Sequence, residues 1–170
     1  KGYKKTIFAC ARFGNVIGTR GSIVPYLKSQ IENNQNLTVT DLNMTRYFMT
    51  IDNATDILTE SINDMRGGEI FIPKKLRLFK VIDLANALKK IFSKNKLKIK
   101  LIGKRPGEKI FENLVSDTEI ENIKMTKKFY IIKNSIKNNE KKINLIKRAL
   151  KEYKMMSQKE IFDFFRKIHI

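Results

Sequence analysis

The chain is poor in residues that form covalent or metal cross-links. Its 170 residues include one cysteine, Cys10, one histidine, His169, and no tryptophan. A single thiol excludes an internal disulfide, and one cysteine with one histidine makes no metal-ligand cluster. Because Cys10 lies inside an apolar segment, we expect it to be buried and structural. The sequence therefore predicts neither a metal site nor thiol chemistry.

Long apolar runs are also missing. No stretch of roughly 18 apolar residues occurs, and the basic start at residues 1–5 is followed by a short apolar stretch that ends at Arg12. These features predict a soluble, cytoplasmic protein with no membrane partner. A length of 170 residues with 42% hydrophobic content is enough for one buried core.

Acidic residues are scarce. The chain has 17 of them against 35 basic residues, which gives a formal net charge of +18. Such a charge favours nucleic acid or an anionic membrane surface as a partner. Most of the basic residues, however, are lysines scattered along the chain, whereas a protein that binds phosphate backbones concentrates its charge on one face, with arginine prominent. We therefore favour solvated lysine-rich surfaces and no specific nucleic-acid partner.

Apolar periodicity predicts strands and helices that alternate, which is typical of α/β architecture. Strands are predicted over residues 6–13, 37–40, 47–50, 69–73, 97–102 and 129–132. Helices are predicted over residues 22–33, 52–64, 81–92, 138–153 and 157–168. Ser22 and Asp52 are expected to cap the first two helices, and Ser157 with Glu160 forms a capping box for the last. In the second helix, Ile57, Leu58 and Ile62 are predicted to face inward.

Several residues suit an anionic ligand. Glycines 14, 18 and 21 with Arg20 separate a predicted strand from a helix N-terminus, where backbone can approach an anion. By itself this spacing fits a simple tight loop better. Arg46 and Arg105 stand in turn-like settings, and guanidinium groups suit diphosphates. Glu108, three residues after Arg105, can accept hydrogen bonds from a sugar diol, or it is an exposed acid at a helix start.

Four segments carry a family resemblance: residues 11–25 (ARFGNVIGTRGSIVP), 44–50 (MTRYFMT), 67–74 (GGEIFIPK) and 103–109 (GKRPGEK). In this order and at this spacing they resemble bacterial and archaeal UDP-N-acetylglucosamine 4,6-dehydratases, which belong to the polysaccharide biosynthesis family and the extended short-chain dehydrogenase/reductase superfamily. The resemblance runs from about residue 6 to residue 133 and includes the last helix.

The resemblance implies an α/β fold that is the C-terminal part of an extended short-chain dehydrogenase/reductase. This part comprises the end of a Rossmann-type sheet and the smaller substrate-binding domain. Residues 1–133 would hold the last Rossmann-type strands and the nucleotide-sugar-binding region, and residues 134–170 would form a helical tail. The full-length protein would be an NAD- or NADP-dependent lyase of surface-glycan synthesis and a homo-oligomer. The segment at residues 72–75 favours the C5-inverting type, with an epimerase of the same family as an alternative.

The resemblance also assigns roles to residues, all of them in holding a UDP-sugar. Those at matching positions are Asn15 beside the diphosphate, Arg20 in the loop that wraps the nucleotide, Val24 and Pro25 near the uracil, Arg46 and Arg105 on the diphosphate, and Glu108 on the uridine ribose.

Two elements of the family's chemistry are absent from the sequence. The chain has no glycine fingerprint for a dinucleotide, and none of its five tyrosines is followed four residues later by lysine. We therefore predict no catalytic residue here, a cofactor held mainly by a missing N-terminal half, and a fragment that is inactive alone. The other class considered is a non-catalytic module that binds nucleotide sugars or nucleic acid.

Overall fold

The computed structural model describes residues 6–168, so Tyr3 and His169 lie outside the described residues. Its strands are β1 (Cys10–Ala11), β2 (Asn15–Val16), β3 (Leu37–Val39), β4 (Thr45–Met49), β5 (Ile70–Pro73), β6 (Arg77–Lys80), β7 (Ile99–Leu101), β8 (Ile123–Met125), β9 (Phe129–Ile132) and β10 (Lys154–Met155). Its helices are α1 (Ile23–Glu32), α2 (Ile51–Asp64), α3 (Val81–Phe92), α4 (Glu140–Leu150) and α5 (Gln158–Lys167).

The described chain forms two compact units, each made of three separate segments. Unit 1 contains residues 6–13, Ile51–Leu76 and Asn113–Tyr153, and unit 2 contains Gly14–Thr50, Arg77–Glu112 and residues 154–168. This division by contacts runs along different lines from the boundary at residue 133, which separates segments by expected role. That boundary stays a prediction.

Unit 1 is built on a four-stranded sheet of order β1-β5-β9-β8. β1 pairs in parallel with β5, with Cys10 opposite Ile70, and the other two pairings are antiparallel. All four residues of β9 are buried, and Phe71 of β5 packs edge-on against Phe129 at a ring separation of 5.5 Å. The strands predicted over residues 69–73 and 129–132 are thus confirmed.

An ion pair joins the start of unit 1 to a segment more than a hundred residues away. Arg12 donates to Glu119 through Nη1 at 2.9 Å and Nη2 at 2.8 Å, and to the Leu114 carbonyl at 2.8 Å. Glu119 also accepts from the backbone N–H of Ser116 at 2.8 Å. The hydrogen bond from Arg12 outweighs partial burial and lowers the pKa of Glu119 to about 2.

Three sequence predictions for unit 1 are wrong. The strand expected over residues 6–13 shortens to Cys10–Ala11, Phe8 is 76% exposed, and Cys10 is exposed rather than buried. The reason is that β1 lies at the edge of its sheet, with β5 as its one partner among the described strands. In α2, Ile57 is buried as predicted, but Leu58 and Ile62 are 47% and 65% exposed.

Unit 2 contains the larger apolar core. A four-stranded sheet of order β10-β6-β4-β2 and a parallel pair, β3 with β7, surround helices α1, α3 and α5. Leu27, Leu84 and Leu88 are fully buried between these elements, and Phe48 packs against Phe79 at 4.9 Å. Each such side chain, when buried, stabilises the folded state by about 1.5–3 kcal/mol relative to an exposed position.

Helix ends in unit 2 follow the sequence in part. Helix α3 spans residues 81–92 as predicted, and Ser157 and Glu160 form the predicted capping box at the start of α5. Ser22 is the N-cap residue of α1, but its side chain makes no capping hydrogen bond. Its hydroxyl oxygen is buried without a partner among the described residues, so the predicted side-chain cap is wrong.

Candidate functional site

A cavity of about 550 Å³ opens within unit 2. Its walls come from the loop after β2, from α1, β3 and β4, and from the segment that follows β7. The residues that line it are Asn15, Gly21, Ile23, Tyr26, Ser29, Thr38, Val39, Thr40, Met44, Arg46, Val81, Ile102, Arg105 and Glu108. Four predicted site residues, Asn15, Arg46, Arg105 and Glu108, are therefore brought together by chain segments far apart in sequence.

Arg46 is held firmly in the cavity wall. It lies on β4, in register with Phe79 of β6, and its side chain is 12% exposed. Nη1 donates to the Thr45 carbonyl at 2.8 Å, and Nε lies 3.3 Å from a carboxylate oxygen of Glu112. Nη2 has a longer approach, 3.9 Å, to Glu108. Nη1 also donates to the Ile110 carbonyl at 3.3 Å, so Nε and Nη1 are both engaged, and Nη2 is the nitrogen that keeps donors available for an anion.

The turn that carries Arg105 and Glu108 is closed by its own hydrogen bonds. The Glu108 N–H donates to the Arg105 carbonyl at 3.0 Å, and the Arg105 N–H donates to Glu108 Oε2 at 3.1 Å. Gly107 has φ +78°, a conformation that suits glycine. Glu108 Oε1 lies 3.4 Å from the Thr40 hydroxyl, which donates to it. No described residue pairs with the Arg105 guanidinium, so this exposed cation is available to a ligand.

The glycine loop approaches its neighbouring strand very closely. Asn15 of β2 pairs in parallel with Phe48 of β4, and a Cβ atom at Gly14 would lie 2.6 Å from the backbone carbon of Tyr47. No larger residue fits there without moving β4. Gly14 therefore fixes the distance between Asn15 and the strand that carries Arg46.

Arg20 occupies a second, adjoining concavity of about 380 Å³ that shares Asn15, Gly21 and Ile23 with the main cavity. This concavity includes the N-terminus of α1, where free backbone N–H groups favour an anion. Val24 and Pro25 line neither space, and Val24 is 2% exposed in the core. Their predicted position near a uracil stays a prediction.

Sequence reasoning missed several residues of the cavity, notably Tyr26, Thr38 and Thr40. The alternation of residues 37–40 could have indicated the two threonines. Thr38 of β3 and Thr40, which directly follows the strand, alternate with buried Leu37 and Val39, so they share the face opposite the core. That face turns toward the cavity.

The cavity offers organic hydrogen-bonding groups and charge rather than a metal site. Within residues 6–168, no cluster of histidine, cysteine, aspartate and glutamate could hold a metal ion. Next to the cavity wall, burial and then the Glu112 carboxylate raise the pKa of Tyr47, so this phenol stays neutral at physiological pH. None of the helices in residues 6–168 has the length and apolar character needed to cross a membrane.

The protein has an α/β fold of Rossmann-like type, with parallel strand pairings, helices packed on the sheets and a cavity that contains cationic donors. This fold is the C-terminal part of an extended short-chain dehydrogenase/reductase. The chain belongs to the polysaccharide biosynthesis protein family, whose model matches residues 1–134.

Individual relatives agree with this assignment. The chain is 39% identical over 137 residues to a UDP-N-acetylglucosamine 4,6-dehydratase (inverting) of Campylobacter jejuni, covering 80% of this chain and 39% of that protein. It is 40% identical over 116 residues to a UDP-glucose 4-epimerase of Rickettsia bellii, covering 68% and 33%. The structure of Pen from Bacillus thuringiensis superposes with a TM-score of 0.78 at 32% identity, covering 94% and 48%.

These similarities confirm the resemblance to UDP-N-acetylglucosamine 4,6-dehydratases that the four segments carry. They also show how much of a relative the chain represents. It spans less than half the length of the dehydratase and of the epimerase, 39% of the first and 33% of the second.

Proposed function

We propose that this chain is the substrate-holding part of an NAD(P)-dependent UDP-N-acetylglucosamine 4,6-dehydratase, a C5-inverting lyase of surface polysaccharide or glycan synthesis. The observation that supports it most is the meeting of Asn15, Arg46, Arg105 and Glu108 in one cavity. Two guanidinium groups, an amide and a carboxylate match the needs of a diphosphate joined to a ribose.

Each group has a distinct part in this proposal. Arg105, whose guanidinium has no described partner, and Nη2 of Arg46 bind the diphosphate oxygens. Asn15, near the N-terminus of α1, adds a neutral donor, and Arg20 adds a cation beside it. Glu108 accepts from the ribose hydroxyls through Oε1, the oxygen that the Thr40 hydroxyl approaches at 3.4 Å.

A dinucleotide cofactor does not fit the residues of this chain. Glycines 14, 18 and 21 lack the fingerprint spacing, and the helix they lead into, α1, borders the cavity assigned to the UDP-sugar. No tyrosine has lysine four residues later to draw a proton from the sugar hydroxyl. The proposed enzyme therefore takes its NAD or NADP from a dinucleotide-binding part that these residues do not supply.

The contribution of this chain is accordingly orientation. Phosphates fixed by two arginines and a helix N-terminus hold the attached sugar in one position, and correct positioning of reactants supplies roughly 7–11 kcal/mol of a reaction barrier in favourable cases. Binding energy far from the reacting carbon is thus used for the chemistry.

An epimerase is the second candidate, since one relative carries that name. The two activities share the UDP-sugar site and differ in the product. Incubating the complete enzyme with UDP-N-acetylglucosamine and identifying the product by NMR separates them: a 4-keto-6-deoxy sugar supports the dehydratase, and a 4-epimer supports the alternative. We further propose that the complete enzyme is a homo-oligomer and works in the cytoplasm, where UDP-sugars are made.

The test of the binding site is calorimetric titration of UDP into this chain and two variants. Arg105→Ala is expected to weaken UDP binding by about 10-fold to 100-fold, because a hydrogen bond to a charged group contributes about 1.5–3 kcal/mol. Lys104→Ala is the matched control, since Lys104 is exposed and does not line the cavity. It should change the affinity by less than about threefold.

Equal losses in the two variants would mean that UDP senses the general positive charge rather than a site. An affinity for UDP no greater than that for inorganic phosphate would also contradict the proposal.

A further inference from the structure

Glu112 lies outside the cavity but pairs with one of its arginines. Its carboxylate oxygen Oε1 lies 3.3 Å from Nε of Arg46, and the side chains of Arg46 and Glu112 are 12% and 36% exposed. Glu112 is not among the residues that line the cavity. The proposed function therefore leaves this carboxylate without a part, although it faces a group that is assigned to the diphosphate.

The backbone fixes Glu112 beside the start of β4. The Ile110 carbonyl accepts from the Thr45 N–H at 3.0 Å and from Nη1 of Arg46 at 3.3 Å. Glu112 follows this carbonyl by two residues, so the segment that carries it is tied to the strand that carries Arg46. The fold of unit 2 therefore sets the position of Glu112 relative to Arg46.

Arg46 has a second carboxylate nearby. Its Nη2 lies 3.9 Å from Oε1 of Glu108. Because the attraction between charges falls with distance, Glu112 at 3.3 Å holds the guanidinium more strongly than Glu108 does. If Glu112 lost its charge, Glu108 would attract Arg46 without this competition. A closer pairing with Glu108 would occupy Nη2 and the Glu108 carboxylate together, and these are the groups assigned to the phosphate and the ribose.

We propose that Glu112 is a positioning residue, which holds the Arg46 guanidinium away from Glu108 and so keeps both groups available to the ligand. The inference rests on the proposed function, since it takes the ligand to be a nucleoside diphosphate joined to a sugar. Glu112 acts through Arg46 and not by contact with the ligand.

The direction of its effect distinguishes positioning from simple repulsion. A carboxylate close to a diphosphate site repels the ligand, so neutralising it should strengthen binding if charge alone matters. Loss of a positioning residue has the opposite effect, because the ligand must then compete with Glu108 for Arg46. A lower affinity after neutralisation of Glu112 therefore cannot result from repulsion.

The test is calorimetric titration of UDP into the wild-type chain and its variants. Glu112→Gln removes the charge and keeps the shape, and we expect it to weaken UDP binding by about threefold to tenfold. Glu112→Ala, which also removes the side-chain oxygens, should weaken it at least as much. Unchanged or tighter binding of UDP by Glu112→Gln would overturn the inference.

Glu32→Gln is the matched control. Glu32 is an exposed acid at the end of α1 in the same unit, where it pairs with Lys28 at 3.8 Å, and it does not line the cavity. This substitution removes the same charge without touching Arg46. It should not weaken UDP binding by more than about twofold.

An Arg46→Ala background shows whether Glu112 acts through Arg46. Without the guanidinium there is nothing to position, so Glu112→Gln should cause no further loss of UDP affinity. A role confined to the fold of the segment would lower the affinity by the same factor in both backgrounds, and this result would contradict the inference. Circular dichroism checks the fold of each variant, and if Glu112→Ala does not fold, the isosteric Glu112→Gln decides.

Uridine tests the part assigned to Glu108. It carries no charge, so removing a nearby negative charge does not by itself change its affinity. If Arg46 turns to Glu108 in Glu112→Gln, the ribose hydroxyls lose their acceptor, and uridine should bind about twofold to fivefold more weakly in an NMR titration. Unchanged binding of uridine would show that Glu112 does not keep Arg46 from Glu108.

The outcomes separate the two proposals. If the wild-type chain does not bind UDP, the proposed function fails and this inference fails with it. If the chain binds UDP and Arg105→Ala weakens that binding as expected, but Glu112→Gln binds UDP as tightly as the wild type, this inference is wrong and the proposed function stands.

Discussion

Glu69 is a carboxylate that is 5% exposed and directly precedes β5 of unit 1. Burial alone would raise its pKa. Hydrogen bonds from Lys133 Nζ at 2.6 Å and from the backbone N–H groups of Arg66 and Gly67 outweigh burial and lower the pKa to about 2. The charged form therefore stabilises the folded state, and it ties the turn after α2 to the residue that follows β9.

We predict that Glu69→Gln lowers the free energy of unfolding at pH 7 by about 1–3 kcal/mol. Because the folded pKa lies below the ordinary value of 4.5, the contribution of Glu69 is present above about pH 4.5 and is lost as the pH falls toward 2. Urea denaturation at pH 7 and at successive lower pH values measures this. The difference between wild type and variant should shrink across that range.

Glu60→Gln is the control for this experiment. Glu60 pairs with Lys128 at 2.5 Å, but both side chains are exposed, 38% and 61%. An exposed pair contributes about 0–1 kcal/mol. If the two variants lose the same stability, or if the loss at Glu69 does not depend on pH, burial of the Glu69 hydrogen bonds does not have the effect assigned to it.

At the scale of elements, periodicity predicted helices whose buried stripe lies within one segment. It missed strands that form only because neighbouring strands pair with them. Helix α3 was predicted with its observed bounds because Val81, Leu84, Ala85 and Leu88 give it a continuous buried stripe. Strand β6 was missed since its sequence, Arg77 to Lys80, is charged at both ends and only Phe79 is buried. It exists because β4 and β10 pair with its two edges.

Helix α2 allows a test of which predicted inward-facing residues are buried. We predict that Ile57→Ala lowers the free energy of unfolding by about 2–4 kcal/mol, because Ile57 is buried. Leu58→Ala, one residue along the same helix, should change it by less than about 0.5 kcal/mol, because Leu58 is 47% exposed. Ile57→Ala gains slightly more helix propensity than Leu58→Ala, which works against the expected difference, so a larger loss at Ile57 in urea denaturation reports its burial. Equal losses would support the inward position that periodicity predicted for Leu58.

At the scale of the whole molecule, contacts between distant segments account for what the sequence could not predict. Each unit is assembled from three separated stretches, and the pairing of Arg12 with Glu119 spans 107 residues. Spacing along the chain does not report such contacts. The candidate site was nevertheless predicted in part, because three of the four family-like segments carry Asn15, Arg46, Arg105 and Glu108 in a known order. Tyr26 and Thr38 lie in the wall of the same cavity, but no motif drew attention to them.

The net charge of +18 allows a last prediction, which separates a specific site from a diffuse basic surface. Nonspecific binding to a nucleic acid depends on counterion release, so six to ten phosphate contacts lose about 10³-fold to 10⁵-fold in affinity between 50 and 200 mM salt. UDP carries few charges and is held in the cavity by directed hydrogen bonds. We therefore expect its affinity to fall by less than about tenfold over the same range. Calorimetry with UDP and fluorescence anisotropy with a labelled oligonucleotide measure how each affinity changes with salt concentration. Arg105→Ala should weaken the binding of UDP and leave the binding of the oligonucleotide unchanged. Parallel slopes, with an equal effect of Arg105→Ala on both ligands, would favour a nucleic-acid-binding surface over the nucleotide-sugar site.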